Sequence, residues 1–109
     1  MAKDCAESDL DRELEDLPAE LRWREWIRRI EAVLFASASP VPRADLARVV
    51  GAGASVDLLI EDLMVDLAER PYEIACVADA WMLRTRPAYA QAIRAAADVG
   101  EQDLDLREY

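Results

Sequence analysis

The side chains in this sequence that could do chemistry are almost all carboxylates. Twenty-three Asp and Glu residues stand against thirteen Lys and Arg, and there is no histidine. Asp57/Glu61 and Asp62/Asp66 are pairs four residues apart, which puts each pair on one side of a helix. Carboxylates so placed share a solvated face, whereas acid–base chemistry needs two groups converging on a cleft in different environments. Without histidine there is no imidazole base, no Cys–His pair and no zinc site built on histidine. Cys5 lies in an acidic lead and Cys76 in a β-favouring run, a placement that suggests neither a disulfide framework nor a metal site. Cys76 is expected to be a small buried hydrophobe. Only three glycines are present and none forms a phosphate loop, nor does any nucleophile have a base beside it. The residues predict no catalytic, cofactor-binding or metal-binding site, and hence a protein that is not an enzyme.

The element that carries the paired carboxylates is Ser55 to Arg70. Ser55 is a natural N-cap, and Val56, Leu59, Ile60, Leu63, Met64 and Leu67 form an apolar stripe at helical spacing. The polar side holds Asp57, Glu61, Asp62, Asp66 and Glu69 against Arg70, a net charge of −4. Between those acids sit Leu58 and Val65, seven residues apart and so aligned two turns apart on the outward side.

The formal net charge of −10 is concentrated at the two ends. Residues 1–20 hold eight acids and two bases, and residues 98–109 hold five acids and one base. Residues 21–97 hold ten of each and are neutral. Length and composition fit one domain with a modest core. Three segments follow: an acidic lead over 1–18, expected to be solvated and flexible, a folded domain over 19–97, and an acidic tail over 98–109. The start of the chain lacks the apolar stretch of a signal peptide and no run is long enough to span a bilayer, so a cytoplasmic location is expected.

In order, Ala19 to about Ser37 reads as a helix with Trp23, Trp26, Ile27, Ile30, Val33 and Leu34 on one face, flanked by Arg22, Arg24, Arg28 and Arg29. Phe35 falls off that stripe and is expected to pack where the helix end is surrounded. Pro40 and Pro42 break the helix and frame a short strand with Val41 inward. Arg43 to Val50 predicts a second helix, closed by Gly51 at C′. After the Ser55 helix, Pro71 precedes two strand-like runs, Tyr72–Ala78 and Trp81–Arg86, joined at Asp79-Ala80. Alternation puts Trp81, Leu83 and Thr85 on the core face and Met82, Arg84 and Arg86 on the wet face. Pro87 opens a last helix to about Ala97, with Tyr89, Ile93 and Ala96 inward. Helix, short strand, two helices, β-hairpin wing and C-terminal helix make an α+β, mostly α, winged helix-turn-helix.

Ile30-Glu-Ala-Val-Leu-Phe-Ala-Ser37 with Pro40-Val41, then Asp45-Leu-Ala-Arg-Val-Val-Gly51, then Trp81-Met-Leu-Arg-Thr-Arg-Pro-Ala-Tyr89, resemble in order and spacing the N-terminal winged helix of segregation and condensation protein B (ScpB). The resemblance runs from about Trp26 to Arg94. It implies a non-enzymatic subunit of a bacterial SMC–kleisin, condensin-like complex, associated with the nucleoid through that complex. It also implies a homodimer formed through the winged helix, and binding to the kleisin subunit, ScpA. Two departures stand out. The family usually has a glycine pair at the wing turn, where this chain has Asp79-Ala80, so a longer or bulged wing is expected. The family also has a second winged helix, and residues 98–109 fall where a linker to it would lie.

The competing use of this fold is a DNA-binding transcriptional regulator, in which the Ser55 helix would enter the major groove. Its net negative face would repel phosphates, so specific DNA reading is not expected. Arg84 and Arg86 on the wing are the candidates for a weak nucleic-acid contact. For a protein interface the candidates are Trp23, Trp26, Leu58, Val65 and Trp81, since tryptophan is enriched at interfaces and an apolar stripe edged by acids suits a basic partner helix.

Overall fold

An 18-residue helix, α1 (Ala19–Ala36), is the longest element of the fold and carries a large share of its core. The structure is a computed structural model and describes the backbone of residues 10–105 and the side chains of residues 10–97. Helix α1 buries Trp26, Ile27, Ile30 and Leu34, the stripe expected from its periodicity. It stops where Ser37 turns extended, and the Ser37 hydroxyl donates back to the Val33 carbonyl at 2.7 Å. The chain then crosses β1 (Val41–Pro42) into a single turn of helix, α2 (Arg43–Leu46), followed by a 3₁₀ turn (Ala47–Val49). Helix α3 (Val56–Asp66) comes next, with Ser55 in β conformation and its hydroxyl accepting from the Leu58 N–H at 3.2 Å. Strands β2 (Tyr72–Val77) and β3 (Ala80–Thr85) form the wing, and a 3₁₀ turn (Pro87–Tyr89) leads into α4 (Ala90–Asp105).

The sheet is antiparallel in the order β1-β3-β2, with Val41 opposite Trp81 and Cys76 also opposite Trp81 on the other side. Pro42 has no N–H to give a ladder and lies in the edge strand, where that is tolerated. Ile30, Leu46, Val50, Leu59 and Leu63 are fully enclosed where α1, the helix-turn-helix and the sheet meet. Each contributes about 1.5–3 kcal/mol by leaving water. Among the described residues no charged or polar side chain is buried in this core. The arrangement is the expected winged helix.

Several local expectations are corrected. The second helix gives way to a 3₁₀ turn after Leu46, and the carbonyls at its end are taken by arginines. Arg12 donates to the Ala47 and Val50 carbonyls, both at 2.9 Å, and Arg29 donates to the Val49 carbonyl at 3.1 Å. Gly51 is not a left-handed cap, since it has no positive φ. It is needed because a Cβ there would lie 2.7 Å from the Trp26 ring. The wing turn is tight and sits one residue earlier than expected. Val77 pairs with Ala80, and the two residues between them, Ala78 and Asp79, have φ of 49° and 68°. Positive φ at both central positions is the type I′ pattern that matches strand twist.

The lead does not behave as one solvated segment. Residues 10–17 form a strap across α1 and the helix-turn-helix turn, while residues 1–9, Cys5 included, lie outside the described residues. Leu14 is buried, at a φ of 50°. The strap is fixed mainly through its backbone. Trp26 Nε1 donates to the Arg12 carbonyl at 2.8 Å, and Arg22 donates to the Leu14 and Leu17 carbonyls at 3.1 and 2.8 Å. In return, Glu13 accepts from the Ala52 N–H at 2.9 Å.

Phe35, expected to pack, is 82% exposed, because it sits 100° round the helix from Leu34 and nothing covers that side. Met64 is exposed at the margin of its stripe and Cys76 is exposed on the outer face of the wing. Helix α4 continues to Asp105 and not Ala97. Its expected inward face is only partly covered: Ile93 is half-buried, but Tyr89 and Ala96 are exposed. The half-buried side is Ala90, Ile93 and Ala97, and its two alanines offer little apolar area to hold it down.

Candidate protein-interaction site

The outward face of α3 is set by the burial of its other side. With Val56, Leu59, Ile60 and Leu63 in the core, Leu58 and Val65 must face away, and they are 52% and 73% exposed. Seven residues separate them, so their side chains stand about 10.5 Å apart along the helix. Carboxylates border them on both sides, and neighbouring cations hold the outer ones. Arg43 donates from Nε and Nη2 to Asp57 Oδ1 at 3.2 and 2.8 Å, and Arg24 donates to Asp66 at 2.6 Å. Trp23 Nε1 donates to Asp62 Oδ2 at 2.6 Å. Glu61 and Glu69 are exposed and have no ion-pair partner among the described residues. The crest of α3 is therefore two aliphatic side chains with one carboxylate, Glu61, left without an ion partner between them and Glu69 just past the helix end. A phosphate backbone laid along it would meet the uncompensated charge of Glu61 and no free cation of the helix itself.

A concavity of about 420 Å³ opens beside the Leu58 end of this crest. Its apolar wall is Trp23, Trp26, Ala54 and Leu58, with Gly53 at the turn and Glu13 and Arg22 at the rim. The two tryptophan rings meet edge to face, with centroids 6.4 Å apart at 68°. Trp26 is held by its bond to the strap and Trp23 by its bond to Asp62, so the wall is rigid.

The five candidate interface residues thus divide. Leu58 and Val65 lie together on the free crest, and Trp23, half-buried, joins them through the concavity. Trp26 is 8% exposed and reaches solvent only as part of that wall. Trp81 is equally buried, with the Arg43 guanidinium 5.2 Å from its ring centroid, so it offers a partner little surface. The wing arginines are also committed within the chain. Arg84 pairs with Glu73 at 3.1 Å. Arg86 pairs with the same carboxylate at 3.1 Å and donates to the Leu67 and Arg70 carbonyls at 2.8 and 2.7 Å. Its donors close the C-terminal end of α3 and are not displayed to a nucleic acid. Among the described residues no group of three or more His, Cys, Asp or Glu is placed to hold a metal ion.

Two features went unread in the sequence. Leu21 and Phe35 are exposed on α1, fourteen residues apart and so on one side, with Arg28 midway between them. A wheel drawn from the Ile27–Leu34 stripe places all three opposite the core. The concavity depends on the strap and on how two helices cross, and it has no local pattern.

Residues 28–107 match the model of the family described as segregation and condensation complex subunit ScpB. No curated protein matches the chain. A solved structure, of a conserved hypothetical protein from Chlorobium tepidum, is similar with a TM-score of 0.60 and 21% sequence identity. The similarity covers 69% of this chain and 49% of that one, so the chain spans about half the length of the solved structure it resembles.

Proposed function

The chain belongs to the segregation and condensation complex subunit ScpB family, and we propose that it acts as a non-enzymatic subunit of an SMC–kleisin complex in chromosome segregation and condensation. In this reading it self-associates through its winged helix and binds the kleisin subunit, working in the cytoplasm and reaching the nucleoid through its complex. The observation that carries the reading is the crest of α3. The helix that would read DNA in a winged-helix regulator exposes Leu58 and Val65 among carboxylates, which favours a protein partner with apolar and basic side chains. The large exposed side chain Phe35, on the opposite side of α1 from the core, suits burial against a second copy. No helix among the described residues is long and apolar enough to cross a membrane.

The test is to measure the binding of the kleisin subunit to wild type and to the double variant Leu58→Ser, Val65→Ser. Both residues are exposed, so the variant should fold and melt as wild type does. Affinity is expected to fall by about tenfold or more, the loss typical of two apolar anchors. Unchanged affinity would remove α3 from the kleisin interface.

A further inference from the structure

The crest of α3 and the concavity beside it are continuous, because Leu58 belongs to both. We propose that together they form a docking groove for one amphipathic basic helix, which seats a large apolar side chain in the concavity and a second apolar side chain, two turns on, against Val65. This rests on the protein-interaction reading above and specifies the chemistry of the partner.

Three observations select this occupant. The concavity, at about 420 Å³, is large enough for a bulky side chain and is walled by Trp23, Trp26, Ala54 and Leu58. Preformed apolar pockets bounded by aromatic rings are where interface anchors concentrate. The spacing is helical: the interval from Leu58 to Val65 is two turns, so a straight partner helix running along the crest meets them at its own positions i and i+7. The unbalanced charge is acidic, since Glu61 and Glu69 are exposed without ion partners among the described residues, while Asp57 and Asp66 are paired with Arg43 and Arg24 and Asp62 accepts from Trp23. Lys or Arg flanking the anchors would meet those acids, whereas an acidic helix or a nucleic acid would be repelled.

The turn also supplies a means of closing the pocket. Gly53 lines the concavity, has no positive φ, and a Cβ built on it meets nothing within 4 Å. A side chain can therefore start there from a Cβ in open space, without strain at the backbone. The probe is a helical peptide of about 18 residues carrying Trp at one position, Leu seven residues on, and Lys at the flanking positions, with a control peptide bearing Glu for Lys. Wild type and Gly53→Ala should bind the basic peptide and ignore the acidic one. Gly53→Trp and, independently, Leu58→Ser should bind it about tenfold more weakly or worse, with melting temperatures held. Equal binding by wild type, Gly53→Trp and Leu58→Ser would overturn the groove and leave only diffuse attraction of a basic peptide to an acidic surface. Absence of any binding to wild type would overturn it as well. The kleisin subunit is titrated in parallel. Kleisin that binds wild type and Gly53→Trp alike, uncontested by the peptide, keeps the reading of function and rejects the kleisin as the groove's occupant. Peptide binding that depends on the pocket, with no kleisin binding, upholds the groove and rejects the kleisin as its occupant.

Discussion

Gly51 and Gly53 lie two residues apart in one turn, yet adding a methyl group to each should move stability in opposite directions. A Cβ on Gly51 would stand 2.7 and 2.9 Å from two atoms of the Trp26 ring and 2.9 Å from Glu13 Oε1. The ring cannot swing aside cheaply. It is 8% exposed, packed edge to face on Trp23, and tied through Nε1 to the strap. Overpacking of this kind costs about 1–3 kcal/mol. At Gly53 the same methyl meets nothing and the backbone is not left-handed, so the substitution acts through the unfolded chain and stabilises by about 0.4–1 kcal/mol. In a urea titration Gly51→Ala should lower the midpoint and Gly53→Ala should raise it, both with unchanged slope. By heat the separation should be at least about 5 °C, since 1 kcal/mol moves a domain of this size by about 4–8 °C. Trp26→Phe removes the two ring atoms in conflict, so in a double-mutant cycle it should recover part of the Gly51→Ala loss. Two alanine variants that shift together, or a cycle without coupling, would refute the claim that Gly51 is fixed by the ring and not by its φ.

Other consequences are narrower. Ala78 holds a φ of 49° in the wing turn without the freedom of glycine. Relief of that conformation outweighs the added chain entropy, so Ala78→Gly should stabilise by about 0.5–1 kcal/mol in chemical denaturation. Arg86 binds two carbonyls at the end of α3 as well as Glu73, whereas Arg84 has only the exposed pair. Arg86→Ala should therefore cost about 2 kcal/mol and Arg84→Ala under about 1 kcal/mol, measured by the same unfolding titration.

Periodicity made the main elements of this fold legible. The stripes of α1 and α3, the Ser55 cap and the alternation of β3 each follow from the register of apolar residues, and they placed Leu58 and Val65 outward correctly. What periodicity could not supply is contact that side chains make with distant backbone. Arg22 and Arg29 read only as flanks of the α1 stripe and Arg12 as part of the acidic lead, yet between them they bind six carbonyls and pin the strap. Gly51 likewise has a steric duty toward the Trp26 ring in place of a cap. The same limit hid the concavity, which needs Trp23, Ala54 and Leu58 from separate elements. It also misjudged Arg86, whose alternation said wet while its guanidinium was closing a helix. Phe35 shows the converse: its position predicted exposure, and only its apolar character argued for packing.

In the proposed function this winged helix engages proteins in two ways, by self-association and by kleisin binding. Light scattering over a concentration series, on the chain alone and with the kleisin subunit, tests it most directly. A mass approaching twice that of the chain is expected, and a heavier complex when the kleisin is added. A strict monomer across the series that ignores the kleisin would contradict it.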